Sequence, residues 1–535
     1  MSDTGGEWTP ARSVAGELNP WLIVGIISIA TFMTVLDSSI ANVALGHIAG
    51  GLSASYDEAT WVITSFLIAN AIIIPISGWL SNVVGRKRFY MISVALFTGA
   101  SVLCGMAPNL TWLVIARILQ GIGGGGLAPT EQSMLVDTFP PQSRGAAFAA
   151  YGMVVIVGPI VGPVLGGAIT DNLSWHWVFL INAPIGVLSL VLVSLFVHEP
   201  DALIKDRERL LENGLRVDII GFALVGLALG CLEFTLDRGQ RDDWFSSPFI
   251  TLSAVASAIA FLAFVPWELT RKDPIVPIRM FARRNFSIAC LFLLAVGMIL
   301  FGTTQFIPQL LQQVLGYTAT DAGLALTAGG FATILVMPLA GVLTGKLDAR
   351  IMIGFAFVVE ALALWNMSHL NTDMSFADAA TARMWQAVGI PFLFVPISTV
   401  AYVGLRPEES NQASALMNVA RNLGGTFGIS LVQTMLAQRE QYHQARMVET
   451  LSPLNPNYAN GTAGAAHSLI ANGQAAMAAS AQATAQLYQG VLRQAQMLSY
   501  VEVFHVLAIV IMLLAPMVLL LRGAQAGAGG GGGAA

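Results

Sequence analysis

Apolar runs long enough to cross a lipid bilayer follow one another along most of this chain, separated by short polar turns. A crossing needs about 20 mainly apolar residues, and by that measure fourteen spans are predicted. They lie at 21–46, 59–81, 89–107, 111–136, 146–169, 178–197, 217–236, 248–266, 286–305, 322–344, 351–369, 383–404, 412–437 and 500–521. Inside lipid a backbone satisfies its own N–H and C=O groups only as a helix or a closed barrel, and runs of this length are helical. The expectation is an all-α polytopic membrane protein. An even number of crossings puts both termini on one side.

Composition agrees. Hydrophobic residues make up 55% of the chain and charged residues 11%, against about 25% charged in soluble domains. The net charge of -5 comes without any basic block of the kind that binds nucleic acid. Cys104, Cys231 and Cys290 all lie in apolar runs and read as small buried hydrophobes, with no disulfide framework or metal spacing. Residues 1–20 are polar, so the first run is expected to act as an uncleaved anchor. Orientation follows from the basic residues, because cytoplasmic loops retain Lys and Arg. With the N-terminus inside, eighteen of the 26 Lys and Arg face the cytoplasm; Arg238, Arg241, Arg383, Arg439, Arg446 and Arg493 fall outside, and Arg117 and Arg421 within spans.

The second span ends Gly78-Trp-Leu-Ser-Asn82-Val83-Val-Gly85-Arg86-Lys87-Arg88, and the tenth ends Gly341-Val-Leu-Thr-Gly345-Lys346-Leu-Asp348-Ala-Arg350. Both are glycine-led helix ends followed by a basic turn, eight spans apart, and the fifth and thirteenth spans are the glycine-rich ones. This spacing predicts two six-helix halves, at 21–198 and at 285–437 with 500–522, separated by a linker at 199–284 that carries two inserted helices. Residues 438–499 are rich in Ala and Gln, and from Ala465 to Leu498 they hold good helix formers, so an outer helix is expected there in preference to a loop. The tail at 523–535 is Gly and Ala apart from Gln525 and is expected to be disordered.

The fifth span holds the most distinctive local pattern, Gly158-Pro159-x-x-Gly162-Pro163-x-x-Gly166-Gly167. Gly152, Pro159, Gly162, Pro163 and Gly166 fall within an arc of about 100° on a helix. Helices in lipid pack through such small faces, and two prolines bend the span; this face is expected to slide against its neighbour in the other half. The pattern resembles the antiporter signature of major facilitator superfamily exporters. Three other stretches are similar to that family: Leu36 to Leu45, Arg117 to Gly126, and Trp175 to Gly186, whose tryptophans are expected at the outer interface. The resemblance covers nearly the whole chain and is to the fourteen-span drug:proton antiporters, EmrB-type exporters among them.

Ionisable groups at membrane depth are costly and mark function. Asp37, in Thr34-Val-Leu-Asp37-Ser-Ser-Ile-Ala-Asn42, is a candidate proton carrier; the structural alternative is a packing residue satisfied by nearby Ser or Asn. The resemblance implicates that aspartate in coupling or cation recognition. Arg117, in Arg117-Ile-Leu-Gln120, must pair or face water, since it keeps its charge. Glu131 follows fourteen positions later, about 21 Å along the axis and within about 40° of the same face, either lining a polar path or standing near the inner mouth as a gate pair. In the family the matching arginine is thought to assist proton transfer. Arg421 either holds an anionic partner or lines the cavity. Glu233 reads as an interface residue, and Glu360 and Glu502 stay undecided.

The turn at Gly78, Asn82, Gly85, Arg86 and Lys87 resembles the superfamily's loop signature but carries Asn82 where the family has an aspartate, and Val83 where it has a basic residue. A charge-relay gate is thereby in doubt, and an anchoring role for Arg86 and Lys87 gains weight. No nucleotide-binding loop, zinc spacing or nucleophile elbow is present, so no enzyme activity, catalytic residue, metal or cofactor is expected. The resemblance implies a bacterial inner-membrane, multi-pass pump with both termini cytoplasmic. It implies proton-driven export of amphipathic compounds, with a periplasmic adaptor docked at 438–499 and an outer-membrane channel. The alternatives are a proton-coupled importer of one nutrient and a non-transporting membrane scaffold.

Overall fold

A computed structural model describes residues 19–199, 201–212, 218–271, 274–449, 451–452 and 454–522. The expectations for the two tails lie almost wholly outside these residues. Among the described residues all regular structure is helical. The first half contains α1 (Pro20–Gly51), α2 (Tyr56–Val84), α3 (Arg86–Gly105), α4 (Leu110–Thr138), α5 (Arg144–Asn172) and α6 (Trp177–Phe196). The inserted pair is α7 (Ile219–Arg238) and α8 (Pro248–Thr270). The second half contains α9 (Arg284–Val314), α10 (Ala319–Thr344), α11 (Ala349–Met367), α12 (Phe376–Ala401), α13 (Ser410–Val448) and α14 (Ala476–Leu520).

Thirteen of these are long and apolar enough to cross a membrane. The fourteenth expected span, α13, falls short on composition because polar residues fill its first turns and its last ones. It still lies in the bundle, packed along α9, α2 and α14. Helix starts follow local sequence. Asn19 accepts from the Trp21 N–H ahead of Pro20, Asn109 accepts from the Trp112 N–H, and capping boxes pair Ser55 with Glu58, Thr318 with Asp321 and Ser375 with Asp378. Gly85, at φ 99°, turns the chain between α2 and α3 in a region that disfavours side chains.

Packing within the first half joins α1 to α5, α2 to α4, α3 to α4 and α3 to α6. The second half repeats this with each helix moved on by eight: α9 with α13, α10 with α12, α11 with α12, and α11 with α14. The halves meet along two seams, α2 with α13 and α5 with α10, which this correspondence exchanges. The inserted helix α7 lies on the first seam. The Thr426 hydroxyl of α13 donates to Glu233 at 3.0 Å, and the Thr64 hydroxyl of α2 donates to Asp237.

Beyond the last crossing of the seam, α13 runs on to Val448, a separate helix covers Pro456–Ala471, and α14 begins at Ala476. The stretch expected as an outer helix is thus split at 472–475, and most of it is an extension of the final span. Gln444 Nε2 donates to the Tyr488 hydroxyl at 2.8 Å and Gln496 Nε2 to Glu440 at 2.9 Å, tying the two extensions together.

Candidate functional site

Asp37 sits in a closed polar network that draws on five helices of the first half. Its Oδ2 accepts from Arg117 Nη1 at 2.6 Å, and its Oδ1 accepts from Gln120 Nε2 at 2.8 Å and Asn182 Nδ2 at 2.7 Å. Arg117 also donates to Gln120 Oε1 at 2.7 Å and through Nε to the Val62 carbonyl at 2.9 Å, and its guanidinium lies 4.3 Å from the Phe66 ring centre. Gln120 and Asn182 both donate to the Ser101 hydroxyl, at 3.2 and 3.0 Å. Asp37 is 0% and Arg117 1% exposed. Charge-assisted bonds of this kind are about twice as strong as neutral ones, so the carboxylate and the guanidinium hold each other. Protonating Asp37 means giving up that pair.

Sequence reasoning named Asp37, Arg117 and Gln120 without joining them, and passed over Asn182 and Ser101 as site residues. Glu131 does not share the network. It is fully buried against α1, where the Thr31 hydroxyl donates to it, and the Tyr151 hydroxyl lies 3.2 Å from that of Thr31. Among the described residues no ion pair reaches it, so the gate pair weighed for it is not formed in this state. Arg421 donates to Asn418 Oδ1 at 2.7 Å, and Asn418 Nδ2 in turn donates to Gln132 Oε1 of α4 at 2.8 Å, across the two halves. Asn42 is exposed, one turn beyond Ser38, to whose carbonyl it donates.

The basic turn is a contact between the halves. Arg86 is paired with Asp137 at the end of α4, both buried, and its Nη2 donates to the Ser410 hydroxyl of α13 at 3.1 Å. Asn411 Nδ2 donates to Asn82 Oδ1 at 2.6 Å, and Ser133 donates to Asn411. At Gly78 the two backbones lie close together: a Cβ there would stand 2.9 Å from the Gln412 Cα. The ion pair that Asn82 cannot make is thus supplied by Asp137, one residue past the predicted end of the fourth span. Lys87 is set apart from this contact, donating to the Ser194 carbonyl at 2.9 Å.

The glycine stripe of α5 corrects one expectation in part. Gly158, Gly162 and Gly166 pack on Val35, Ser39 and Ile40 of α1 in the same half, not on the other half. Their spacing of four keeps them on one face, whereas Gly145 and Gly152, nearer the start of the helix, meet Thr344 and Met337 of α10 in the other half. In the second half Gly424 and Gly428 of α13 pack on Leu294 and Met298 of α9 in the same way. Of Trp175 and Trp177, only Trp177 is exposed; Trp175 is buried at the end of α1 beside Gly51.

Arg383 corrects another. Counted among the outside residues, it lies within α12 and is 6% exposed. It donates to Gln386 Oε1 and, at 3.0 Å, to the Thr303 hydroxyl of α9; Gln386 Nε2 donates to Glu360 Oε2 of α11 at 3.1 Å. Glu502 pairs with Arg439 and His443, both at 3.1 Å. No cluster of metal-ligating side chains occurs among the described residues.

Two six-helix halves with buried charge between their helices are the architecture of a multi-pass membrane transporter. The chain belongs to the major facilitator superfamily, whose family model matches residues 27–429. Over 432 residues it is 42% identical to the multidrug export protein EmrB of Escherichia coli (strain K12), a match that covers 81% of this chain and 83% of that protein. It is 37% identical over 449 residues to the probable multidrug resistance protein EmrY of the same organism, covering 84% of this chain and 86% of that one. The solved structure of the proton:xylose symporter XylE shares the fold, with a TM-score of 0.56 at 13% identity, covering 92% of this chain and 94% of that one.

Proposed function

We propose that this protein is a proton-driven exporter of hydrophobic and amphipathic small molecules, working by alternating access in a bacterial inner membrane. The kinship with EmrB supports the substrate class. The observation that carries the proton coupling is the sealed pair of Asp37 and Arg117. A buried acid and base that must part before either changes partner is a two-state element, and a proton and a substrate can both bias it. Because Asp37 is fully buried, cargo competes with the proton through the state of this network and not by touching the carboxylate.

With the basic turns toward the cytoplasm, the contacts of Arg86, Asn82 and Gly78 close the bundle on that side. Parting of these contacts would admit cargo from the cytoplasm and the inner leaflet. The α13 and α14 extensions, held together by Gln444 and Gln496, are the surface proposed to dock a periplasmic adaptor.

Everted membrane vesicles energised with a proton gradient test this reading. Vesicles with the wild-type protein accumulate a fluorescent hydrophobic cation, and those with Asp37→Asn do not. Accumulation without a gradient, or undiminished by Asp37→Asn, contradicts it.

A further inference from the structure

The network around Glu360 is a partial copy of the one around Asp37. Arg117-x-x-Gln120-x-x-Gly123 on α4 recurs as Arg383-x-x-Gln386-x-x-Gly389 on α12, eight helices on. Arg117 and Arg383 both stand seven residues in from the starts of their helices, Leu110 and Phe376. In each, the arginine donates to the glutamine's Oε1 and the glutamine's Nε2 donates to a carboxylate.

The copies differ in where the acid comes from. In the first half it is on α1 and binds the arginine directly. In the second half α9, the counterpart of α1, offers Arg383 only the Thr303 hydroxyl, and the acid sits on α11. Glu360 is 0% exposed, and among the described residues its Oε1 has no hydrogen-bond partner and no ion pair reaches it. Gly389 lies against it, its bare Cα leaving room that a Cβ would fill at 2.8 Å from Oε1. Other charges are turned away. On α14 Glu502 faces Arg439 and His443, and His505 lies against Trp365 with the rings tilted. Asp378 on α12 is held in the cap by Ser375, and Arg350 lies at the far end of α11.

We propose that Glu360 is a second proton-binding carboxyl, so that each half of the transporter carries one acid linked through a glutamine to a buried arginine. A carboxyl group with a free oxygen and no direct counter-ion binds a proton without breaking an ion pair, unlike Asp37. The chain from Gln386 through Arg383 to the half-buried Thr304, 3.4 Å from Nη2, leads outward from it. The inference rests on the proton-coupled reading above.

The test is the pH dependence of tetraphenylphosphonium affinity in the purified full chain, where the slope of log Kd against pH counts the protons displaced. The wild type is expected to show a slope of about two, and Asp37→Asn and Glu360→Gln about one each. A Glu360→Gln slope equal to that of the wild type overturns the second site and leaves proton coupling standing. A wild-type slope of zero overturns the coupling itself. Should Glu360→Gln not fold, Glu360→Asp retains the acid but draws it back from Gln386, so the slope persists with a shifted midpoint; an unmoved midpoint overturns the proposal.

Discussion

Arg117 reaches back eighty positions in sequence to place Nη1 2.6 Å from the Asp37 carboxylate, with both groups shut away from solvent. Removing one partner of a buried pair leaves an uncompensated charge, at a cost of about 3–5 kcal/mol. Asp37→Asn is therefore expected to lower thermal stability as well as coupling. Asp37→Asn with Arg117→Gln is expected to regain most of the stability and none of the transport. Melting curves for the two single variants and the double variant check this.

The contact at the basic turn is set by backbone proximity as much as by charge. Gly78→Ala drives a Cβ against Gln412 and is expected to part the halves at that end. Asn411→Ala removes the bonds to Asn82 and Ser133 and acts in the same direction. Distances between spin labels on the two halves are expected to lengthen at the basic-turn end in both variants.

Gly162 lies against Ser39, with no room for a side chain between α5 and α1. Gly162→Val is expected to separate the two helices, cutting transport to near background while expression persists. Gly167, which meets nothing, tolerates alanine. Parallel transport assays of Gly162→Val and Gly167→Ala check the contrast.

This contrast also shows what could be read along the chain. The number of helices, the small-residue stripes and the eight-helix repeat follow from hydropathy and spacing, and Asp37 and Arg117 stand out because charge at membrane depth is rare. Their pairing is not legible, because a bond between residues eighty apart depends on which helix faces of the half turn inward. The partner of the α5 stripe was misassigned for the same reason. Arg383 was placed at the outer end of its span because its window of apolar residues begins late, while Ser375 and Asp378 start the helix a full two turns earlier. The repeated Arg-x-x-Gln was in plain sight, but its acid comes from α11 where the first half uses α1.

Glu409, at the start of α13, is tied to Arg283 at the start of α9. Arg283 binds it with two hydrogen bonds of 2.9 Å, and the Arg406 N–H donates at 2.8 Å. Partial burial alone raises the Glu409 carboxyl, but the Arg406 N–H and the Arg283 and Arg406 guanidiniums outweigh it and hold it below the usual carboxylate range. A lowered carboxyl stabilises the fold above its unfolded value, near pH 4.5, and the contribution fades as pH falls from there through the folded value. Glu409→Gln is expected to be less stable than wild type at pH 7, with the gap closing in acid. Melting temperatures across that range check it.

Thr426→Val leaves Glu233 buried without its donor, and α7 loses its tie to the second half. A buried polar group stripped of its partner costs about 1–3 kcal/mol, and a melting temperature equal to that of the wild type would speak against the tie.

The most direct measurement is proton release from purified protein on addition of tetraphenylphosphonium, in wild type and in Asp37→Asn. Binding of the cation is expected to release protons from the wild type, and fewer from the variant. Cargo that binds the wild type without releasing a proton, or a variant that releases as many as the wild type, would contradict the role given to Asp37.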